Sequence, residues 1–246
     1  MRVFVISLQE AEERREIMRA RLSAAGLAFE FFDAVDGRGF DVPLHPAYDA
    51  WRRRSYFGKD LSGGELGCLL SHRAVYEKMV TEGIKAALIL EDVAILDADF
   101  TAVLQGAQGC EYDIIRFMDK PKLSNVPSRV VRDLGSGYSL RQFCAIPGGA
   151  YAYVITLEGA RKMIAELQRN YRPVDTVMGH VWMQGLKSYI VWPRVASWDA
   201  AQGSYIGQAR FDKSASGLRP WYYPATRLYF KVYEGVMKRV WYTFRA

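Results

Sequence analysis

The sequence predicts an α/β fold, a mostly parallel central sheet flanked by helices, and three observations carry that prediction. The apolar run Ala87-Leu88-Ile89-Leu90 follows Gly83 and ends in two adjacent acids, Glu91 and Asp92, which reads as a buried strand. The chain opens strand–helix–strand, the pattern of parallel strands joined by a right-handed crossover. Its 246 residues, 50% apolar and 13% aromatic, supply enough core for one large domain or one domain with a small appendage.

The elements follow in order. Arg2 to Leu8 is the first strand. Glu10 to Ala25 is a charged amphipathic helix with Ile17, Met18, Leu22 and Ala25 near one face and Gly26 as its stop. Phe29 to Val35 is the second strand. Asp36 to Lys59 mixes Gly, Pro and Arg without a period and reads as a long loop. Ser62-Gly-Gly-Glu65 matches a capping box, so a helix runs from there to about Glu82, stopped by Gly83. The strand Ala86 to Leu90 comes next, then a short helix from Phe100 to Gln105 and a strand from Asp113 to Phe117. Lys120 to Gly137 is loop-like. Gln142 to Thr156 holds one or two strands broken at Pro147-Gly148-Gly149. A helix from Leu157 to Asn170 leads to Pro173-Val-Asp175, a second helix, and the strand Ser188 to Trp192.

Charge is uneven. The net charge is +6, and residues 218–246 carry six basic side chains against one acid, Glu234. A basic tail is an interaction tail by default. Within it Tyr229, Val232, Tyr233, Val236, Met237, Val240, Trp241 and Phe244 follow a helical period, with Lys231, Lys238 and Arg245 elsewhere. Such a helix suits an anionic bilayer surface, and equally suits packing on the domain. Basic residues form no extended stripe outside the tail, so nucleic acid is not an expected partner. No stretch is apolar enough to cross a bilayer, and the first eight residues are too short for a signal core. The expected location is cytoplasmic, peripheral on the inner face of the membrane. The three cysteines, Cys68, Cys110 and Cys144, are odd in number and widely spaced, which argues against a disulfide framework and against a zinc site.

The chemistry-bearing residues cluster at strand ends. Ser7 and Leu8 close the first strand, with Arg14 and Arg15 on the next helix. That crevice of an α/β sheet binds nucleotides, and an Arg can clamp a diphosphate with two hydrogen bonds. Neither a G-x-G-x-x-G nor a Walker A sequence occurs, which leaves dinucleotide cofactors and an ATP loop unsupported. Glu91 and Asp92 at a buried strand end suit a metal, a sugar hydroxyl or a proton in transit. Ser71 and His72 lie on the capped helix, where no second His stands at metal-ligand spacing. Asp175, after Pro173, is either a helix cap or a carboxylate able to take a proton from an acceptor hydroxyl.

Taken in order, these blocks resemble glycosyltransferase family 25, the lipooligosaccharide β-galactosyltransferase family that is also similar to the collagen galactosyltransferases. The matching blocks are Val5-Ile-Ser-Leu8 with Glu13-Arg14-Arg15; Phe31-Phe-Asp33-Ala34-Val-Asp36-Gly37; Leu61-Ser62-Gly-Gly-Glu65-Leu-Gly67-Cys68 with Ser71-His72; and Leu88-Ile-Leu-Glu91-Asp92. Two later blocks match as well, Ala150-Tyr-Ala-Tyr153-Val-Ile-Thr156 with Gly159-Ala160, and Pro173-Val174-Asp175. The resemblance implies a GT-A-like fold with a Rossmann-type sheet over 1–210, and the tail's charge and period mark 211–246 as a basic aromatic extension. It implies transfer of a hexose, galactose or glucose, from a UDP-sugar to a saccharide acceptor hydroxyl with inversion, in lipopolysaccharide or another surface glycan. Carried over by position, Ser7, Leu8, Arg14, Arg15, Asp33, Ala34, Ser71, His72 and Glu91 are candidates for donor binding. Asp92 and Asp175 are the candidate catalytic acids, with Asp175 as base. Asp92 is also the candidate ligand for Mn²⁺ or Mg²⁺.

One position departs from the pattern. The family's acidic block reads Glu-Asp-Asp, and here the third place is Val93. Three outcomes are open: Asp97 or Asp99 assists Asp92, the enzyme works without metal, or the chain binds sugar nucleotide and catalyses poorly. Competing functions are therefore a catalytically weakened sugar-nucleotide-binding protein of the same fold and a nucleotidyltransferase, which also uses paired acids.

Overall fold

In the computed structural model, which describes residues 1–118, 121–199 and 219–244, the strands are β1 (Arg2–Ser7), β2 (Glu30–Asp33), β3 (Ala86–Glu91), β4 (Ala94–Leu96), β5 (Ile114–Arg116), β6 (Ser128–Gly135), β7 (Tyr138–Phe143), β8 (Ala152–Thr156), β9 (Ser188–Trp192) and β10 (Ala196–Trp198). The helices are α1 (Glu12–Ala24), α2 (Ala50–Phe57), α3 (Gly63–Thr81), α4 (Phe100–Ala107), α5 (Leu157–Leu167), α6 (Val174–Gly179), α7 (Val181–Gln184) and α8 (Tyr223–Phe244). Among the described residues one eight-stranded sheet has the order β2-β1-β3-β8-β5-β9-β7-β6, and β4 pairs with β10 apart from it. β1 pairs in parallel with both β2 and β3, as the opening pattern requires. β8 runs against β3 and β5, and β7 runs against β9 and β6, so the sheet is mixed, with β8 and β7 reversed and the rest aligned. This is the α/β, GT-A-like class that the sequence predicts.

β3 sits in the middle of the apolar layers, and its alternation sorts them. Leu88 and Leu90 join Val3 and Val5 of β1, Met18 and Leu22 of α1, and Phe100 of α4 on one face. Ala87 and Ile89 join Phe4 of β1, Leu69 and Val75 of α3, and Met163 of α5 on the other. Leu88, Ile89 and Leu90 have no exposed surface, and burying each contributes about 1.5–3 kcal/mol. The same alternation sends successive side chains at the strand's end to opposite faces, and this decides the site.

Helix α3 begins as its sequence demands. The Ser62 hydroxyl accepts from the Glu65 amide at 3.2 Å, and the Glu65 carboxylate accepts from the Ser62 amide at 2.9 Å. Three glycines let the loop after β2 press on this helix. A Cβ on Gly67 would stand 2.6 Å from the Val35 carbonyl oxygen, and one on Gly37 would stand 2.0 Å from that of Gly63. Ser71 locks the same contact, accepting from the Val35 amide at 2.8 Å and donating to the Gly67 carbonyl at 2.7 Å.

Two expectations are corrected. Asp36 to Lys59 is not one long loop: it holds a 3₁₀ turn at Val42–Leu44 and α2, capped by the Asp49 carboxylate on the Arg52 amide at 3.0 Å. The buried residues of α2 are Arg53, Ser55 and Tyr56, so its inward face is largely polar and leaves no apolar period to read. Lys120 to Gly137 contains β6, an edge strand with Val130 and Val131 exposed and no one-sided apolar alternation. β4 and β10, three residues each, were not foreseen, being too short for a pattern.

Helix α8 lies against α2 and α7. Phe230 packs on Tyr56 at 5.0 Å between ring centres. Tyr56 donates its hydroxyl to Glu234 at 2.6 Å, and the buried His180 ring nitrogen lies 2.9 Å from the same carboxylate oxygen. The expected single stripe divides: Tyr233, Met237 and Trp241 are half-buried, while Tyr229, Val232, Val236, Val240 and Phe244 are exposed. The expected boundary at 210/211, the first residues of the tail and Arg245 lie outside the described residues.

Candidate functional site

The carboxyl ends of β1, β2 and β3 lie side by side. Ser7 ends β1, Asp33 ends β2, and Glu91 ends β3. Parallel pairing puts them at one edge of the sheet, where ligands of open α/β sheets bind.

The Ser7 hydroxyl donates to Asp92 Oδ2 at 2.8 Å, and Arg14 of α1 reaches Asp92 Oδ1 at 3.4 Å. The Asp92 amide donates to the Ile6 carbonyl at 3.1 Å, which fixes the residue just beyond the strand. Burial pushes the Asp92 carboxyl above its ordinary value; Ser7 and Arg14 oppose that, and Glu91 adds to it. A raised carboxyl in a strand-end crevice is the kind of group that functional sites use.

Arg15 binds the other side of the crevice. Its guanidinium donates to the Leu8 carbonyl at 3.2 Å and the Ser7 carbonyl at 3.0 Å, and pairs with the exposed Asp33. The Ala34 amide donates to the Ser7 carbonyl at 2.9 Å. Ser7, Leu8, Arg14, Arg15, Asp33, Ala34 and Asp92 therefore form one contact network. Among the described residues Ser71 reaches it through the Val35 amide, by holding the loop after β2.

Glu91 does not share a face with Asp92, a correction to their reading as one acidic pair. It follows Ile89 on the α3 side, where His72 Nε2 lies 3.3 Å and Cys68 Sγ 4.0 Å from Glu91 Oε1. His72 Nδ1 lies 2.7 Å from the Tyr153 hydroxyl, which lies 2.6 Å from the Tyr76 hydroxyl. Burial pushes both phenols up, so they stay protonated.

Asp175 lies on α6. Its Oδ2 accepts from the Gly149 amide at 2.9 Å, and its Oδ1 accepts from the Thr176 hydroxyl at 3.2 Å. Arg116 is the residue that sequence reading missed. It ends β5, is 1% exposed, and donates to the Pro147 carbonyl at 2.7 Å. Its Nε and Nη2 have no hydrogen-bond partner among the described residues. Burial lowers this guanidinium to about 10, while Asp175, Tyr76 and Tyr153 pull it back up. A lone Arg in an apolar strand gives no sequence signal that it will be a buried cation facing Asp175. The second missed feature had one: Cys68 and His72 are four apart on a helix, hence on one face.

An all-oxygen site for Mn²⁺ or Mg²⁺ does not assemble at Asp92. Such ions take several oxygen ligands. Here Ser7 and Arg14 face the Asp92 oxygens, Glu91 points the other way, and position 93 is a valine. Asp99 accepts the Tyr138 hydroxyl at 2.9 Å instead. Among the described residues, the His, Cys, Asp and Glu side chains that converge closely enough to chelate are Cys68, His72 and Glu91, with donor atoms within 4.8 Å of one another.

The family model of glycosyltransferase family 25 (LPS biosynthesis protein) matches residues 1–178. A human protein named inactive glycosyltransferase 25 family member 3 is 28% identical over 250 residues, covering 89% of this chain and 39% of that protein. A Drosophila pseudoobscura glycosyltransferase 25 family member is 33% identical over 180 residues, 66% of this chain and 27% of the relative. Zebrafish procollagen galactosyltransferase 1 is 29% identical over 192 residues, 70% of this chain and 30% of that protein. The chain thus spans about two fifths of the human relative's length and less of the other two. With the family pattern matched across most of its length, the chain belongs to glycosyltransferase family 25.

Proposed function

We propose that the chain transfers a hexose, galactose or glucose, from a UDP-sugar to a saccharide hydroxyl with inversion. The observation that carries this is the convergence of Ser7, Arg14 and Asp92 at the ends of β1 and β3. In this reading Arg14 and Arg15 neutralise the diphosphate, Asp33 takes ribose hydroxyls, and Asp92 orients Arg14. Guanidinium forks match phosphate oxygens, and they can support a departing UDP by electrostatics without metal. Asp175, fixed by Gly149 and Thr176, removes the acceptor proton as the hydroxyl attacks the anomeric carbon in line. The glycosidic C–O bond forms as the bond to UDP breaks. UDP-sugars should raise the melting temperature where GDP- and CMP-sugars do not, with slow UDP release in their presence. Stabilisation only by nucleoside triphosphates would replace this reading with nucleotidyl transfer.

A second reading has its own observation. Val93 stands where the family block has an acid, and a relative at 28% identity carries the name inactive. On that reading the chain binds UDP-sugar without turnover. Stabilisation by UDP-sugar with no UDP released across a panel of saccharide acceptors would select it.

We further propose a lipid-linked saccharide acceptor of lipopolysaccharide or another surface glycan, met at an anionic membrane surface on the cytoplasmic side. What supports this is α8. Its docked face is satisfied by α2 and α7, yet its outer face exposes Leu228, Tyr229, Val232, Val236 and Phe244. Arg227, Lys231 and Arg239 are exposed on the same helix and suit anionic headgroups. No described helix is long and apolar enough to cross a membrane. Co-sedimentation with phosphatidylglycerol vesicles, weak with phosphatidylcholine and weakened by salt, is the expected result. Equal recovery with both lipids, or none with either, would overturn it.

A further inference from the structure

We infer that Cys68, His72 and Glu91 form a binding site for a zinc-class divalent cation, distinct from the Asp92 end of the crevice. The inference goes beyond the transferase reading and does not depend on it.

The three side chains come from two elements, α3 and β3, whose buried apolar residues pack in one layer. Cys68 and His72 project from successive turns of α3, and Glu91 ends β3 beneath them. Their donor atoms all lie within 4.8 Å of one another, with Nε2 to Oε1 at 3.3 Å and Sγ to Oε1 at 4.0 Å. A tetrahedral zinc with N and O ligands at about 2.0–2.1 Å separates those two atoms by roughly 3.3 Å. The Cys68 sulfur, at about 2.3 Å from zinc, would close on Glu91 by a few tenths of an ångström and would take up a separation of roughly 3.6 Å from the His72 nitrogen, now within 4.8 Å.

The ligand chemistry selects the ion. One thiolate and one imidazole with one carboxylate favour zinc or cobalt over manganese and magnesium. Three protein ligands leave a fourth position open. Glu91 and Cys68 are partly exposed while His72 is fully buried, so that position opens on the Glu91 and Cys68 side.

The surroundings orient the ring. A metal-bound His donates its other N–H to an outer partner, and His72 Nδ1 lies 2.7 Å from the Tyr153 hydroxyl. The Tyr153 hydroxyl also lies 2.6 Å from that of Tyr76, and either of the two can donate. With Tyr153 donating to Nδ1, His72 offers Nε2–H to Glu91. With Nδ1–H donating to Tyr153, the Nε2 lone pair faces Glu91, which a cation between them would stabilise.

The test is cobalt titration of the EDTA-treated chain. One equivalent of Co²⁺ should produce a thiolate-to-cobalt charge-transfer band and tetrahedral d–d bands, displaced by Zn²⁺ but not by Mg²⁺. Cys68→Ser should abolish the charge-transfer band, and His72→Ala the high-affinity step. Tyr153→Phe should weaken Co²⁺ affinity about tenfold with the same spectrum, the scale of lost outer-partner contacts. Asp92→Asn and Asp175→Asn should leave the spectrum unchanged. Circular dichroism of each variant separates ligand loss from unfolding. Absence of the charge-transfer band in the parent chain, or its survival in folded Cys68→Ser, would overturn the assignment.

Discussion

Ser7 and Asp92 are joined across the parallel β1–β3 pair by a buried hydrogen bond of 2.8 Å. This bond places the second acid of the block on the α1 side, within reach of Arg14, and leaves the first acid to α3.

Asp92→Asn is expected to separate activity from stability. Transfer should fall at least about a hundredfold through the loss of a preorganised charge. Stability should not fall with it. Burial raises the Asp92 carboxyl above its ordinary 3.8, so the folded chain holds the proton more tightly than the unfolded one. Stability contributed by this group therefore declines as pH rises from about 3.8 through the folded value. At neutral pH the charge opposes folding, and the Asn variant should melt at or above the parent. Paired UDP-release assays and thermal melts check this; a large drop in melting temperature would show Asp92 to be structural.

Asp175→Asn should lower turnover at least about a hundredfold, the scale of a lost general base, with little change in UDP-sugar affinity. Asn keeps an oxygen for the Gly149 amide, so the loop should stay in place. Near-normal turnover would remove Asp175 from the mechanism.

Val93→Asp restores the missing acid of the block. If the crevice has only lost a ligand, the variant should gain Mn²⁺-dependent UDP release. An unchanged response to Mn²⁺ would mean that the Ser7–Asp92–Arg14 contacts hold the carboxylate away from any cation.

Gly67→Ala should destabilise the chain by about 1–3 kcal/mol, the usual penalty of overpacking. The added carbon would stand 2.6 Å from the Val35 carbonyl, a backbone atom that cannot swing aside. Chemical denaturation measures it, and a cost within a few tenths of a kcal/mol would show that the loop yields.

Docking of α8 should weaken in acid. Burial alone would raise the Glu234 carboxyl, but hydrogen bonds with His180 and Tyr56 outweigh it and hold the carboxyl below its ordinary 4.5. The stabilisation is complete above about 4.5 and is lost as pH falls through the lowered value. Tryptophan fluorescence of Trp241 at decreasing pH should report release of the helix, and Glu234→Gln should flatten that transition. The same acid transition in Glu234→Gln would assign it to another group.

The sequence by itself determined the buried strand β3, the opening crossover, the capped helix from Ser62 and the order of the family blocks. Those features are local: an apolar run, a capping pair and short motifs survive reading one residue at a time. It did not show α2, whose buried face is Arg53, Ser55 and Tyr56, because Arg53 and Tyr56 find partners distant in the chain, the Tyr171 carbonyl and Glu234. It did not show the edge strand β6, whose adjacent Val130 and Val131 are both exposed and leave no one-sided apolar pattern. Nor did it show that adjacent acids would part. Strand alternation turns Glu91 to His72 and Asp92 to Ser7, and only the layers packed on each face say what each carboxylate meets. Cysteine count and spacing consider cysteines alone, so they do not bear on the proposed mixed site. The Cys68–His72–Glu91 set mixes three residue types from a helix and a strand, and only the packing of α3 on β3 brings them together.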